Sequence, residues 1–136
     1  MPRILLIDDD STLRRALRIA LERSGYIVVE AANGKEGLTA FASQAADLVV
    51  TDLIMPEVEG VETIRELRKV SAGVPIIAIS GGGRGSAEDY LHYARLFGAS
   101  RVFEKPFDID TLRDAVATLL GPAGGPGAAG CAVTPS

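Results

Sequence analysis

Ile4-Leu5-Leu6-Ile7 running directly into Asp8-Asp9-Asp10 is the stretch on which the reading of this chain turns. Four consecutive apolar residues followed by three acids describe a short buried strand that stops at a polar edge. The same shape recurs three times. Leu48-Val49-Val50-Thr51 ends in Asp52, Ile76-Ile77-Ala78-Ile79 in Ser80, and Val102-Phe103-Glu104 in Lys105-Pro106. If these runs are parallel strands of one sheet, their carboxyl ends share an edge, and in open α/β sheets that edge is where ligands bind.

Helix-like segments fill the intervals. Ser11 can cap a helix carrying Leu13, Ala16, Leu17, Ala20 and Leu21 at helical spacing, and Gly25 ends it. Tyr26 to Glu30 reads as a second strand. Asn33 caps a weaker helix with Leu38, Phe41, Ala42 and Ala45 inside, its first turn loosened by Gly34 and Gly37. Val61, Ile64 and Leu67 mark a third helix, and Pro75 opens the next strand. Ser86 and Asp89 have capping-box spacing before a helix that ends at Gly98. Arg101 to Glu104 is the fifth strand. Asp108 caps a last helix with the stripe Leu112, Ala115, Val116, Leu119 and Leu120. Five βα units predict a doubly wound α/β sandwich with a parallel five-stranded sheet over residues 1–120. Residues 121–136 are Gly, Ala and Pro-rich without a charged side chain, and they read as a flexible tail.

Bulk properties narrow the function. The 136 residues suit one domain, 47% hydrophobic content argues against disorder throughout, and a net charge of −4 argues against nucleic acid as a direct partner. No apolar run approaches the roughly 20 residues that span a bilayer, and the first residues do not have the form of a signal peptide. A single cysteine, Cys131, leaves neither an internal disulfide nor a cysteine zinc site. These features predict a cytoplasmic domain without membrane insertion.

The edge itself carries the chemistry. Asp8, Asp9 and Asp52 converging there would place three negative charges together. Two such charges about 4 Å apart repel by roughly 4 kcal/mol at an effective dielectric of 20, which favours protonation of one of them. A divalent cation removes that conflict, and oxygen ligands with room for water favour Mg²⁺. Acids before a helix also simply complement its dipole, and that plainer role suits Asp10. Asp52 can act as a nucleophile that forms an acyl phosphate. Lys105, a metal and backbone amides would meet the charge on the phosphoryl oxygens, with Ser80 donating a hydroxyl bond.

On these residues the chain resembles the receiver domain of two-component response regulators, over roughly residues 1–120. The matching elements are Ile7-Asp8-Asp9-Asp10, Asp52-Leu53-Ile54-Met55-Pro56, Ile79-Ser80-Gly81 and Lys105-Pro106-Phe107. The resemblance implies the flavodoxin-like sheet order 2-1-3-4-5. It also implies that Asp52 accepts a phosphoryl group from a phosphohistidine on a sensor histidine kinase or a histidine phosphotransfer protein. Asp9, Asp52 and the main-chain carbonyl of Ile54 would ligate Mg²⁺, with Asp8 acting largely through water. A cis Lys105-Pro106 bond is implied too. The expected role is a single-domain, phosphorylation-controlled binding or relay module, not an enzyme acting on other substrates. An aspartate-nucleophile phosphatase of the haloacid-dehalogenase type is the alternative, because Asp8 and Asp10 form Asp-x-Asp after a strand. That reading leaves Asp52 unexplained.

Two positions depart from the family pattern. Val102 stands three residues before the lysine, where receivers usually carry Tyr or Phe. Ser80 is followed by Gly81-Gly82-Gly83-Arg84-Gly85, which offers the chain many conformations but lacks the Gly-Lys-Ser/Thr ending of a nucleotide loop. His92, the single histidine, reads as a solvated side chain between Tyr90 and Tyr93.

Overall fold

In the computed structural model, residues 1–52, 57–80, 98–104 and 107–120 are described. The strands are β1 (Arg3–Ile7), β2 (Ile27–Ala31), β3 (Leu48–Asp52), β4 (Ile76–Ser80) and β5 (Arg101–Glu104). The described helices are α1 (Ser11–Arg23), α2 (Gly34–Ser43), α3 (Glu57–Val70) and α4 (Ile109–Leu120). Outside the described residues lie the Met55-Pro56 turn, the glycine run after Ser80, the helix expected from Ser86, His92 and its flanking tyrosines. The Lys105-Pro106 bond and the tail with Cys131 lie outside them as well.

All strand pairs are parallel, in the order β2-β1-β3-β4-β5. Consecutive strands in such a sheet need crossovers, and the helices between them cover both faces. Leu5, Ile7, Val49, Ile76 and Ala78 pack with Phe41 of α2 and with Ile64 and Leu67 of α3. Ile4, Leu6, Leu48, Val50, Ile77 and Ile79 pack with Leu17 and Leu21 of α1 and with Leu112, Ala115 and Val116 of α4. Alternate residues of each strand thus serve opposite layers. This double burial explains why β1 and β3 are continuous apolar runs instead of alternating ones.

Local details depart from the sequence reading in three places. Asp10, not Ser11, is the N-cap of α1: its backbone is extended, and its carboxylate accepts from Thr12 N–H at 3.0 Å and Leu13 N–H at 3.1 Å. Ser11 is the first helical residue, since a carboxylate one position earlier already satisfies two of the orphan donors. β2 is shifted by one residue, to Ile27–Ala31. Tyr26 instead donates its N–H to the Leu21 carbonyl, within the turn that leaves α1. Third, α2 stops at Ser43 because Gln44 is extended, so Ala45 lies beyond the helix.

Three other local expectations within the described residues hold. Gly25 takes φ +97° just past α1, a conformation suited to glycine. Asn33 caps α2 by accepting from Glu36 N–H at 2.8 Å, and the Glu36 carboxylate accepts in return from Ala32 N–H at 2.9 Å. Asp108 accepts from Asp110 N–H at 3.1 Å at the start of α4.

Candidate phosphoacceptor site

Strand register assembles the site. Ile7 is the partner of Thr51, so Asp8 and Asp52 follow at the same height on neighbouring strands. Asp52 is in turn the partner of Ile79, and Ser80 the partner of Glu104, after which Lys105 comes next in the chain. The chain positions Asp8, Asp52, Ser80 and Glu104 therefore lie along one edge of the parallel sheet. Ligand oxygens of Asp8, Asp9 and Asp52 lie within 4.8 Å of one another. The side chain of Ser80, together with Ile54 and Lys105, lies outside the described residues.

The three carboxylates differ in setting. Asp52 is 2% exposed and Asp8 3%, whereas Asp9 is exposed. Asp8 is held from several sides: its N–H donates to the Ala31 carbonyl at 3.1 Å, and its Oδ1 accepts from Asp10 N–H at 2.9 Å. The Asp10 carboxylate is engaged at the N-terminus of α1, in keeping with the plainer helix-terminal reading of that residue.

The donor set suits a hard divalent cation. It consists of carboxylate oxygens, without the imidazole or thiolate that would favour zinc or copper. Oxygens bound to Mg²⁺ at about 2.1 Å lie at most about 4.2 Å apart across the ion. The cluster, extending to 4.8 Å, is only slightly wider, a gap that small side-chain rotations close. When bound, such an ion supplies positive charge against a phosphoryl group.

Sequence reasoning missed the group behind the acids. Arg14 of α1 donates from Nη1 to the Asp8 carbonyl at 2.6 Å and from Nε to Glu30 Oε1 at 2.7 Å. The second Glu30 oxygen accepts from Arg18 Nη1 at 2.8 Å, and Arg18 Nε donates to Glu22 at 3.0 Å. Hydrogen bonds from Arg18, and then from Arg14, hold the Glu30 carboxyl below its ordinary range. The only sequence signal for this network is opposite charge on segments that the βα unit brings together.

A doubly wound parallel sheet with buried acids at its carboxyl edge has the form of a receiver domain. The chain belongs to the response regulator receiver domain family, whose pattern matches residues 4–117. It is 31% identical to sporulation initiation phosphotransferase F of Bacillus subtilis, over 87% of this chain and 93% of that protein. The KDP operon transcriptional regulatory protein KdpE of Escherichia coli is 39% identical over 88% of this chain, which spans only 52% of that protein. Among solved structures, a response regulator receiver domain protein from Clostridium thermocellum superposes with a TM-score of 0.80. It is 30% identical, covering 88% of this chain and 94% of that one. Chemotaxis protein CheY4 of Vibrio cholerae superposes with a TM-score of 0.78 at 27% identity, covering 88% and 98%.

The family consists of signalling domains that are phosphorylated by histidine kinases and bind Mg²⁺ at an acidic pocket. Among the described residues, no helix is long and apolar enough to cross a membrane.

Proposed function

We propose that the chain works as a response regulator receiver, with residues 1–120 as the receiver and 121–136 as a tail outside it. In this reading Asp52 takes a phosphoryl group from a phosphohistidine on a sensor histidine kinase or phosphotransfer protein. A carboxylate oxygen of Asp52 forms the new O–P bond as the N–P bond breaks, and the imidazole leaves with the electron pair. Asp8, Asp9, Asp52 and the Ile54 carbonyl hold Mg²⁺. Lys105 and Ser80 engage the phosphoryl oxygens, Lys105 as a point charge and Ser80 as a hydroxyl donor. The signal then passes by protein binding or by onward transfer.

The observation that carries this reading is the burial of Asp52 at 2% exposure beside two further carboxylates at the ligand-binding edge of the sheet. A dry carboxylate among like charges is poorly placed for stability alone, and well placed to receive an electrophile with its counter-cation. The match covers 93% of one relative and 52% of another, so a receiver region of this length occurs in both short and longer proteins, which supports the reading of residues 1–120 as one unit. The test is incubation with acetyl phosphate and Mg²⁺, read by intact mass and peptide mapping. One phosphoryl group on Asp52, lost in a folded Asp52→Asn variant, is the expected result. Undiminished labelling of that variant, or label on Asp8, refutes the assignment.

A further inference from the structure

The Arg14 guanidinium is placed to do more than brace a helix against a strand. Its side chain is only 16% exposed and lies between Glu30 of β2 and the backbone that carries the acidic pair. The bond to the Asp8 carbonyl, at 2.6 Å, is among the shortest in the described structure. Because the peptide group is planar, holding the Asp8 oxygen also fixes the Asp9 nitrogen and the direction in which the Asp9 Cα departs. Asp9 is the exposed member of the acidic trio, without the burial that confines Asp8 and Asp52. Its carboxylate reaches the cluster only if its backbone is aimed there.

We infer that Arg14 is a positioning residue for Asp9, and that Glu30 and Arg18 hold Arg14 in place. Glu30 fixes the guanidinium plane by taking Nε, which turns Nη1 toward the Asp8 carbonyl. Arg18 occupies the other Glu30 oxygen and restrains the carboxylate from the α1 side. The chain Arg18–Glu30–Arg14–Asp8 thus leads from the outer surface of α1 to the peptide between the two acids. The inference rests on the reading of Asp8, Asp9 and Asp52 as the Mg²⁺ site.

Charge and geometry predict opposite signs, which makes the role testable. Arg14 is a cation near a cation site. Electrostatically, removing it should tighten Mg²⁺ binding. A positioning role predicts the reverse, because outer partners of metal ligands typically contribute 10–100-fold in metal affinity. Mg²⁺ titration calorimetry on Arg14→Met, which keeps the apolar stem, should show about 10-fold weaker binding, with displaced amide resonances of Asp9 and Asp10. Arg14→Lys retains the charge but cannot reach Glu30 and the Asp8 carbonyl in the same fork. It should also bind Mg²⁺ several-fold more weakly, and it serves if the methionine variant fails to fold. Unchanged or tighter Mg²⁺ binding by folded variants overturns the positioning role while leaving the site reading intact. If the wild-type chain binds no Mg²⁺, both are overturned.

Discussion

Gly37→Ala is a substitution whose sign in a peptide and in this protein should be opposite. In an exposed helix interior, alanine is more favourable than glycine by about 1 kcal/mol. Gly37 is instead buried in α2, and a Cβ there would stand 2.7 Å from Cγ1 of Ile7 and closer still to its Cδ1. Carbon atoms pack at about 3.5–4.0 Å, so one side must yield by roughly 1 Å. Ile7 has little freedom to do so, being 1% exposed and stiff at χ1 as a β-branched residue. Overpacking of this kind costs about 1–3 kcal/mol. With the upper end expected at so tight a contact, the net effect of Gly37→Ala is destabilisation by about 1–2 kcal/mol. Ile7→Ala alone should cost about 2–5 kcal/mol through the cavity it leaves. In that background the clash is gone and Gly37→Ala should stabilise by about 1 kcal/mol. The cycle therefore predicts a coupling of about 2–3 kcal/mol, well beyond the 0.5 kcal/mol scatter of independent sites. Urea unfolding of the four proteins, followed by far-UV circular dichroism, measures it. Gly37→Ala that is neutral or stabilising in the wild-type background, or a coupling inside that scatter, would falsify the packing argument.

Two further outcomes follow from charged side chains. Arg68 donates to the carbonyls of Val74 and Gly98, both at 2.6 Å, and of Ala72 at 3.2 Å, clasping the end of α3 to the entries of β4 and β5. Burial lowers its basicity. Arg68→Met keeps the stem but strips the donors, and should cost about 2–3 kcal/mol, a melting-point fall of roughly 10 °C. A loss of only a degree or two would mean that water replaces the guanidinium without penalty. Glu30, whose carboxyl is held below its ordinary range by Arg18 and Arg14, gives a signed pH dependence. A depressed carboxyl contributes stability above its unfolded pKa and loses it as pH falls through the folded value. Glu30→Gln should therefore be less stable than wild type at neutral pH, with the difference shrinking as the solution is made acidic. A difference that stays constant or grows on acidification would contradict the ion-pair account.

Much of this architecture was legible because parallel strands buried on both faces leave a crude signal. Continuous apolar runs at β1, β3 and β4, each ending in a polar residue, marked both the sheet and the edge along which positions 8, 52 and 80 lie. The stripe of α4 was equally plain, since Leu112, Ala115 and Val116 are all buried. What escaped was decided by geometry that no spacing encodes. Asp10 and Ser11 are both good caps, and only the extended backbone at Asp10 selects between them. The end of α2 at Ser43 has no glycine or proline to announce it. Arg68 could be read as a cation complementing the end of α3, but its partner Gly98 lies 30 residues away. Arg14 and Glu30 are 16 residues apart and meet only because α1 packs beside β2.

The unusual composition of β5 can also be placed by these layers. Val102 is the partner of Ala78, and both belong to the α2–α3 layer, where Ala99 also packs. Phe103 is the partner of Ile79 and belongs to the α1–α4 layer. Its ring lies 6.0 Å from that of Phe107, and the Arg101 guanidinium stands 5.5 Å from the Phe103 centroid. Because successive residues of a strand face opposite sides, moving the aromatic residue from position 102 to 103 transfers it to the other face of the sheet. The aromatic contacts of β5 are therefore made with the entry of α4, and the α2–α3 side receives only a valine. A ring at position 102 would stand on the α2–α3 face, in the layer of Ala78 and Ala99. Here the ring stands on the opposite face, and the ring pair ties the end of β5 to the segment leading into α4.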